Sequence, residues 1–443
     1  MMRAHAHVHN RERTLRSRRL AAVVSALLLF PAPSDAAAPG AVFAPPAHAD
    51  AHDAGHGVLD VRSVAFGQVD AHLTLTVRTE ASRELGELCV VIARRERVAG
   101  RLCAADGRRA PVLRYEPAGG VRRRVDATVS RPDPRTLEAR FGTGAIPLAR
   151  GAFEWWVEAG TDRVPDSGAF RASLSVLGQP DCFAAAARDV RRPCQNPALG
   201  DVLVPRPADA LLVPNAPCRV VPRRGGVLTP CEFGVTGPRR RATFALLGDS
   251  HAATWRAALE VVAQARRWRG VSITRPGCPF STQVPASPDL GPAECVRLHR
   301  ETLRWLRVSG IATVFVSSWA QPPSGPHGGT AGYGGGAAAF GAMLDALPRS
   351  VRHVYVLRDN PAASACARTR SCTAARGAVL EPDPAALAAR SRGPRVRVID
   401  LTRFFCDRTR CHSAIGGAYV YKDDNHMNSV FSTSLGPFVL RAL

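Results

Sequence analysis

The period of the hydrophobic positions changes along this chain, and the change divides it. Between residues 58 and 176, apolar and polar residues alternate in short runs at 59–66, 72–79, 88–95, 121–130, 136–141 and 153–159, separated by turn-rich stretches. A period of two predicts half-buried strands, and strands at this spacing predict a β-sandwich of immunoglobulin-like size. Trp155 and Trp156 are adjacent in one such run, so one ring is expected inward and the other outward, where it would stack on a sugar or pack on a neighbouring segment. From Thr243 the texture is different. Continuous apolar runs at 243–250, 271–276, 312–319, 353–359 and 395–401 are interleaved with stretches of helical period, the last from about Met427 to Arg441. That order predicts a doubly wound parallel sheet over residues 243–443, with its site at the carboxyl ends of the strands.

The remaining stretches lack either period. Residues 177–242 are rich in Pro and Arg and hold two cysteine couples, which reads as a disulfide-stapled connector. Residues 38–57 are mostly Ala, Pro, Gly and His, the composition of a linker. There His48, His52 and His56 recur every fourth residue; on a helix they would share a metal-binding face, but the composition favours a solvated tether. Residues 1–37 carry six arginines before an apolar run from Leu20 to Phe30 and small residues around Ser34 to Ala36, the pattern of a secretory signal peptide. The run is short for a membrane span, and no later stretch approaches the roughly twenty apolar residues a span requires. A secreted or cell-envelope location is expected.

Charge and cysteine content refine this picture. The formal net charge is +22, almost entirely from arginine, since Lys422 is the only lysine. Removing residues 1–37, with six Arg against Glu12 and Asp35, would take away +4 and leave +18. The arginines are scattered, with no basic block, aromatic-interleaved patch or helix-turn-helix signature, so nucleic acid is not the expected partner. A field of this sign favours anionic polysaccharide or lipid headgroups. Twelve cysteines in an exported chain predict disulfides in six local couples: Cys89/Cys103, Cys182/Cys194, Cys218/Cys231, Cys278/Cys295, Cys366/Cys372 and Cys406/Cys411. No C-x-x-C or paired Cys/His spacing points to zinc, and neither metal nor cofactor is expected.

Candidate chemistry lies at the two ends of the α/β region. Ser250 ends an apolar strand at the first turn of a helix, where free amides and the helix dipole stabilise a neighbouring oxyanion. By itself, such a serine is equally a helix cap. Near the C-terminus Asp423 precedes His426 by three residues, close enough for the carboxylate to hold one imidazole nitrogen and leave the other free to take a serine proton. His251, directly after Ser250, is expected to point away from the nucleophile and to be structural. The glycine-rich stretch 328–336 lacks the Gly-Lys-Ser ending of a phosphate loop and reads as a flap beside the site.

These residues resemble a known family. The run Leu247-Gly248-Asp249-Ser250-His251-Ala252, together with Asp423-x-x-His426, is similar to the SGNH hydrolase superfamily, and more narrowly to the SGNH domain of bacterial polysaccharide O-acyltransferases of actinobacterial type. Supporting segments are Pro276-Gly277-Cys278-Pro279, Cys295, Ser318-Trp319, Arg358-Asp359-Asn360-Pro361 and Phe405-Cys406 through Cys411, with Cys182-Phe183 and Pro193 to Pro197 upstream. The resemblance covers roughly residues 180–443. It implies a flavodoxin-like three-layer α/β/α fold and metal-free Ser-His-Asp chemistry. Ser250 is then the nucleophile, His426 the base and then the acid, and Asp423 its orienting carboxylate, with the Ser250 amide and Gly277 as oxyanion donors. The asparagine that completes the hole in the superfamily is missing: Ser317-Ser318-Trp319 stands in its place, and Asn360 follows one strand too late.

Three functions remain in competition. The first is transfer of an acyl group, acetyl above all, through an acyl-serine to a cell-surface polysaccharide, with a separate membrane acyltransferase as donor. The second is a carbohydrate or lipid acyl esterase, which shares the covalent step. The third is a catalytically weak glycan-binding surface protein.

Overall fold

The computed structural model describes residues 45–50, 59–80, 87–105, 111–221, 226–238, 240–285, 291–320, 333–363, 369 and 372–443. The expected signal peptide, His52, His56, Cys366 and glycines 328–332 lie outside them. Alternation governs the N-terminal region. Strands His48–Ala49 (β1), Val61–Val69 (β2), His72–Thr79 (β3), Ala127–Asp133 (β8) and Thr136–Gly142 (β9) form one antiparallel sheet in the order β1-β2-β3-β9-β8. A second sheet runs through Asp162–Val164 (β11), Gly151–Ala159 (β10), Glu87–Arg94 (β4), Arg97–Ala105 (β5), Val112–Pro117 (β6) and Arg123–Arg124 (β7), with Phe170–Leu174 (β12) also on β10. Alternate residues of both sheets fill one core: Phe66, Leu73, Leu75 and Phe141 from the first meet Val90, Ile92, Leu102, Phe153 and Trp155 from the second. Trp155 is the inward ring; Trp156 is half-buried, with Arg163 over its face at 5.1 Å and its indole N–H on Glu158 at 2.9 Å. His48 stacks on Phe170 at 4.0 Å, so within this strand it serves packing.

Five parallel strands organise the rest: Ala242–Gly248 (β15), Trp268–Thr274 (β16), Thr313–Ser317 (β17), His353–Leu357 (β18) and Val396–Ile399 (β20), in the spatial order β16-β15-β17-β18-β20. The chain therefore starts at β15, steps to one side and returns to the other, which opens a crevice beyond the carboxyl end of β15. β15 is buried from Phe244 to Gly248 because both its faces are covered. Phe244 and Leu246 pack with Ala258 and Leu259 of helix Arg256–Arg266 (α2) and with Leu435 and Val439 of helix Ser429–Ala442 (α7). Ala245 and Leu247 pack instead with Cys295 and Leu298 of helix Pro292–Val308 (α3) and Phe340 of helix Gly336–Ala346 (α4).

Residues 177–242 contribute to the α/β part. Cys231–Gly234 (β14) extends the parallel sheet antiparallel to β16, Arg219–Val220 (β13) pairs antiparallel with β14 at its edge, and Phe183 to Ala185 are buried in the core that holds α7. The expected disulfides Cys89–Cys103, Cys182–Cys194, Cys218–Cys231, Cys278–Cys295 and Cys406–Cys411 are present. Gln264 on α2 joins the N-terminal sheets to the α/β part: its carbonyl accepts the Gly144 amide at 3.0 Å, and its amide donates to Glu260 at 2.7 Å. Among the described residues no helix is long and apolar enough to cross a membrane.

Candidate active site

Ser250 opens the short helix Ser250–Thr254 (α1) at the carboxyl end of β15. Asp249 caps that helix, taking the amides of His251 at 2.9 Å and Ala252 at 3.4 Å on one oxygen and the Trp319 amide at 3.0 Å on the other. The cap thus ties the ends of β15 and β17 together and does not use the Ser250 amide. Glycine is required at 248: its φ is +136°, and a Cβ there would lie 1.9 Å from the Ser317 carbonyl oxygen. Gly277, at φ +68°, sits in a turn closed by the Cys278 amide on the Arg275 carbonyl at 3.1 Å, and the Arg275 amide is bonded to the Gly248 carbonyl at 3.1 Å. The glycine turn after β16 is thereby anchored two residues before Ser250.

Asp423 and His426 are directly paired. Oδ2 of Asp423 lies 2.9 Å and Oδ1 3.0 Å from His426 Nδ1, and Oδ1 also accepts the amides of His426 at 2.7 Å and Asn425 at 3.1 Å. Burial works to raise the Asp423 pKa, but the bonds from His426 and the loop amides outweigh it and hold it at about 2. The carboxylate is thus ionised at any working pH and fixes Nδ1 as the donor. His426 Nε2 is occluded from solvent and has no hydrogen-bond partner, the Ser250 hydroxyl included. Apo sites of this kind commonly tighten when substrate arrives.

The two halves meet through a residue that the sequence reading set aside. The His251 ring packs on that of His426, centroids 4.6 Å apart, and lies nearly parallel to Trp319 at 5.6 Å. Its Nδ1 is 2.8 Å from Asp359 Oδ1, and this pair is almost wholly buried. Asp359, after β18, also accepts the amides of Ala320 and Asn360, both at 2.9 Å, and its own amide donates to Asp383 at 2.8 Å. Asn360 reaches the same loop: its side-chain amide donates to the Asn425 carbonyl at 2.8 Å, next to His426. It is therefore no oxyanion donor in this state. Where the superfamily asparagine would stand, Ser317 and Ser318 have buried hydroxyls without a partner. Tyr333, buried before α4, packs its ring against Trp319, centroids 5.5 Å apart.

Among the described residues two groupings have metal-like spacing, Cys278/Cys295/His299 and Glu87/Cys89/Cys103. In both the cysteines are joined as disulfides, which removes the thiolates a metal would need.

The family model for the SGNH domain (fused to AT3 domains) matches residues 217–441, just over half of the 443. The chain belongs to that family. The match begins at the strands that extend the parallel sheet and ends in the last helix, so it contains Ser250, Asp423 and His426. Among solved structures, the SGNH chain is similar to the lipopolysaccharide acetyltransferase periplasmic domain of Salmonella ser. Paratyphi A, at TM-score 0.33 and 10% identity over 46% of this chain and 85% of that one. It is also similar to a Paenibacillus sp. cycloisomaltooligosaccharide glucanotransferase complexed with cycloisomaltoheptaose, at TM-score 0.19 and 12% identity over 68% and 45%. Both likenesses are too distant to carry an argument about this chain. No curated protein matches it.

Proposed function

We propose that this SGNH protein is an exported O-acyltransferase that moves an acyl group, acetyl above all, through an acyl-serine to a hydroxyl of a cell-surface polysaccharide. Ser250 Oγ attacks the acyl carbonyl carbon while its proton passes to His426 Nε2. Amides of Ser250 and Gly277 take the developing oxyanion, and the proton moves on to the departing oxygen of the donor. The sugar hydroxyl then attacks the acyl-serine with the same imidazole as base, which restores the Ser250 hydroxyl. One observation carries this reading: His426 is held by Asp423 with Nε2 unclaimed, against the residue that follows Ser250.

Export is supported by five disulfides among the described residues, which belong to an oxidising compartment. The fused AT3 domains in the family's description support a membrane acyltransferase as donor. The strand order supports a flavodoxin-like α/β/α layering, and the shared core of the two antiparallel sheets supports a β-sandwich.

The test is release of product from a chromogenic acetyl ester by purified protein, with Ser250→Ala as control. The variant should lose at least a hundredfold in kcat; equal rates would favour a glycan-binding protein. Adding a polysaccharide acceptor should then accumulate acylated glycan, whereas free acid alone would mark an esterase.

A further inference from the structure

The Asp423–His426 pair closes within its own loop, so it holds the imidazole to the loop but does not hold the loop to Ser250. Three hydrogen bonds join the loop 421–426 to one segment after β18. Asn360 Nδ2 donates to the Asn425 carbonyl at 2.8 Å, the Ala363 amide to the Asp424 carbonyl at 2.9 Å, and Tyr421 Oη to the Ala362 carbonyl at 3.2 Å. Among the described residues, the loop's other hydrogen bond to a distant part of the chain is that of Lys422 Nζ to Asn215 Oδ1, at the surface. Asn360 makes the bond nearest His426. It is buried, and the oxygens its side chain meets, those of Asn425 and Pro361, are both carbonyls, so its NH2 has to face them.

The same residue completes a route of hydrogen bonds that runs along the strand ends from Ser250 to His426. Asp249, next to Ser250, takes the Trp319 amide at 3.0 Å after β17, and the following amide, of Ala320, donates to Asp359 at 2.9 Å after β18. Asp359 takes the Asn360 amide at 2.9 Å, and the Asn360 side chain reaches the Asn425 carbonyl beside His426. We propose that Asn360 is a positioning residue for His426: by holding the Asn425 carbonyl it sets the distance of the imidazole from Ser250. The idea rests on the acyl-transfer reading. Asp423 stays with His426 whether or not Asn360 is present, because both belong to one loop, so loss of the tether displaces base and carboxylate as a unit. A displacement of about 1 Å at a reacting group costs about a hundredfold in rate, with the contacts that bind substrate left in place.

The experiment measures kcat and KM on the acetyl ester for the full chain, for Asn360→Leu, which keeps the volume without a donor, and for Gln264→Ala, which removes a buried amide at the joint with the N-terminal sheets, each below its unfolding transition. Asn360→Leu should lose about 10–100-fold in kcat with KM within about twofold of wild type, whereas Gln264→Ala should lose stability alone. Wild-type kcat in folded Asn360→Leu would mean that the residue only braces the fold and would overturn the proposal. Should Asn360→Leu fail to fold, Asn360→Ser decides: its hydroxyl is too short to span to Asn425, so the same split of kcat from KM is expected, and an unchanged kcat refutes the role. Ser250→Ala, run alongside, separates the two readings. If it is inactive while the Asn360 variant turns over like wild type, the positioning role alone falls; if it remains active, the acyl-transfer reading falls and the positioning role with it.

Discussion

Replacing Asp423 by Asn separates loop geometry from charge. An asparagine Oδ1 can still accept the amides of Asn425 and His426, so the loop should keep its path. Its other terminus is an NH2, a donor facing His426 Nδ1. The imidazole must then present a lone pair at Nδ1 and carry its proton on Nε2, the nitrogen that has to accept from Ser250. Catalysis should fall by about 10²–10⁴ in kcat, the range of a lost general base. Stability changes by a smaller and calculable amount. The Asp423 pKa is held at about 2 against 3.8, a depression of about 1.8 units, or about 2.5 kcal/mol at 1.36 kcal/mol per unit. The side chain is 31% exposed, and solvent screening reduces this to about 1–1.5 kcal/mol. Because the folded pKa lies below the unfolded one, that stabilisation is complete above pH 3.8 and disappears as pH falls through 2. Guanidinium unfolding of wild type and Asp423→Asn at pH 7, 4 and 2.5 should show a gap that is constant between the first two and smaller at the third. Wild-type kcat in the variant, or a gap independent of pH, would refute the assigned role.

Other perturbations test the scaffold. Gly248→Ala places a Cβ 1.9 Å from the Ser317 oxygen in a backbone region unsuited to L-residues, so it should cost about 3 kcal/mol or more and depress kcat by shifting Ser250; thermal melting and ester turnover measure both. Gln264→Ala leaves the buried Gly144 amide and the Glu260 carboxylate short of a partner and should cost about 2–3 kcal/mol by urea unfolding, with kcat unchanged below the transition.

How far these features could be read from sequence depended on their range. β15 and β17 were visible because burial on both faces writes a continuous apolar run. Asp423 and His426 were visible because a spacing of three lets a tight loop close the bond without help from elsewhere. By contrast β13 and β14 have two and four residues, with Arg219 and Val220 exposed, and so give no periodic signal; only the pairing of β14 with β16, and of β13 with β14, makes them strands. Asn360 was invisible for a related reason. Its partner is a backbone carbonyl 65 residues away, and no side chain records that contact. Nor does a residue's place after Ser250 state where its ring turns: the contacts of His251 with Asp359 and Trp319 come from the ends of two other strands, out of reach of any local pattern.

The two histidine–carboxylate pairs differ in the property that separates their roles. In the outer pair the side chains of His426 and Asp423 are 26% and 31% exposed; in the inner pair those of His251 and Asp359 are each 2% exposed. A general base must exchange a proton with a hydroxyl and release it to a leaving group, which requires access and a charge that changes during the cycle. A buried imidazole held by a carboxylate meets neither condition, because every change of its charge is made in low dielectric against a fixed partner. What it can supply is constancy. In the acyl-transfer reading proposed above, the outer imidazole is therefore the one suited to cycle, and the inner one is suited to hold a single state. At the end of β15 Asp249 caps the helix and binds the Trp319 amide, which places the His251 ring beside Trp319, while His426 reaches the same place from the C-terminal loop held by Asp423.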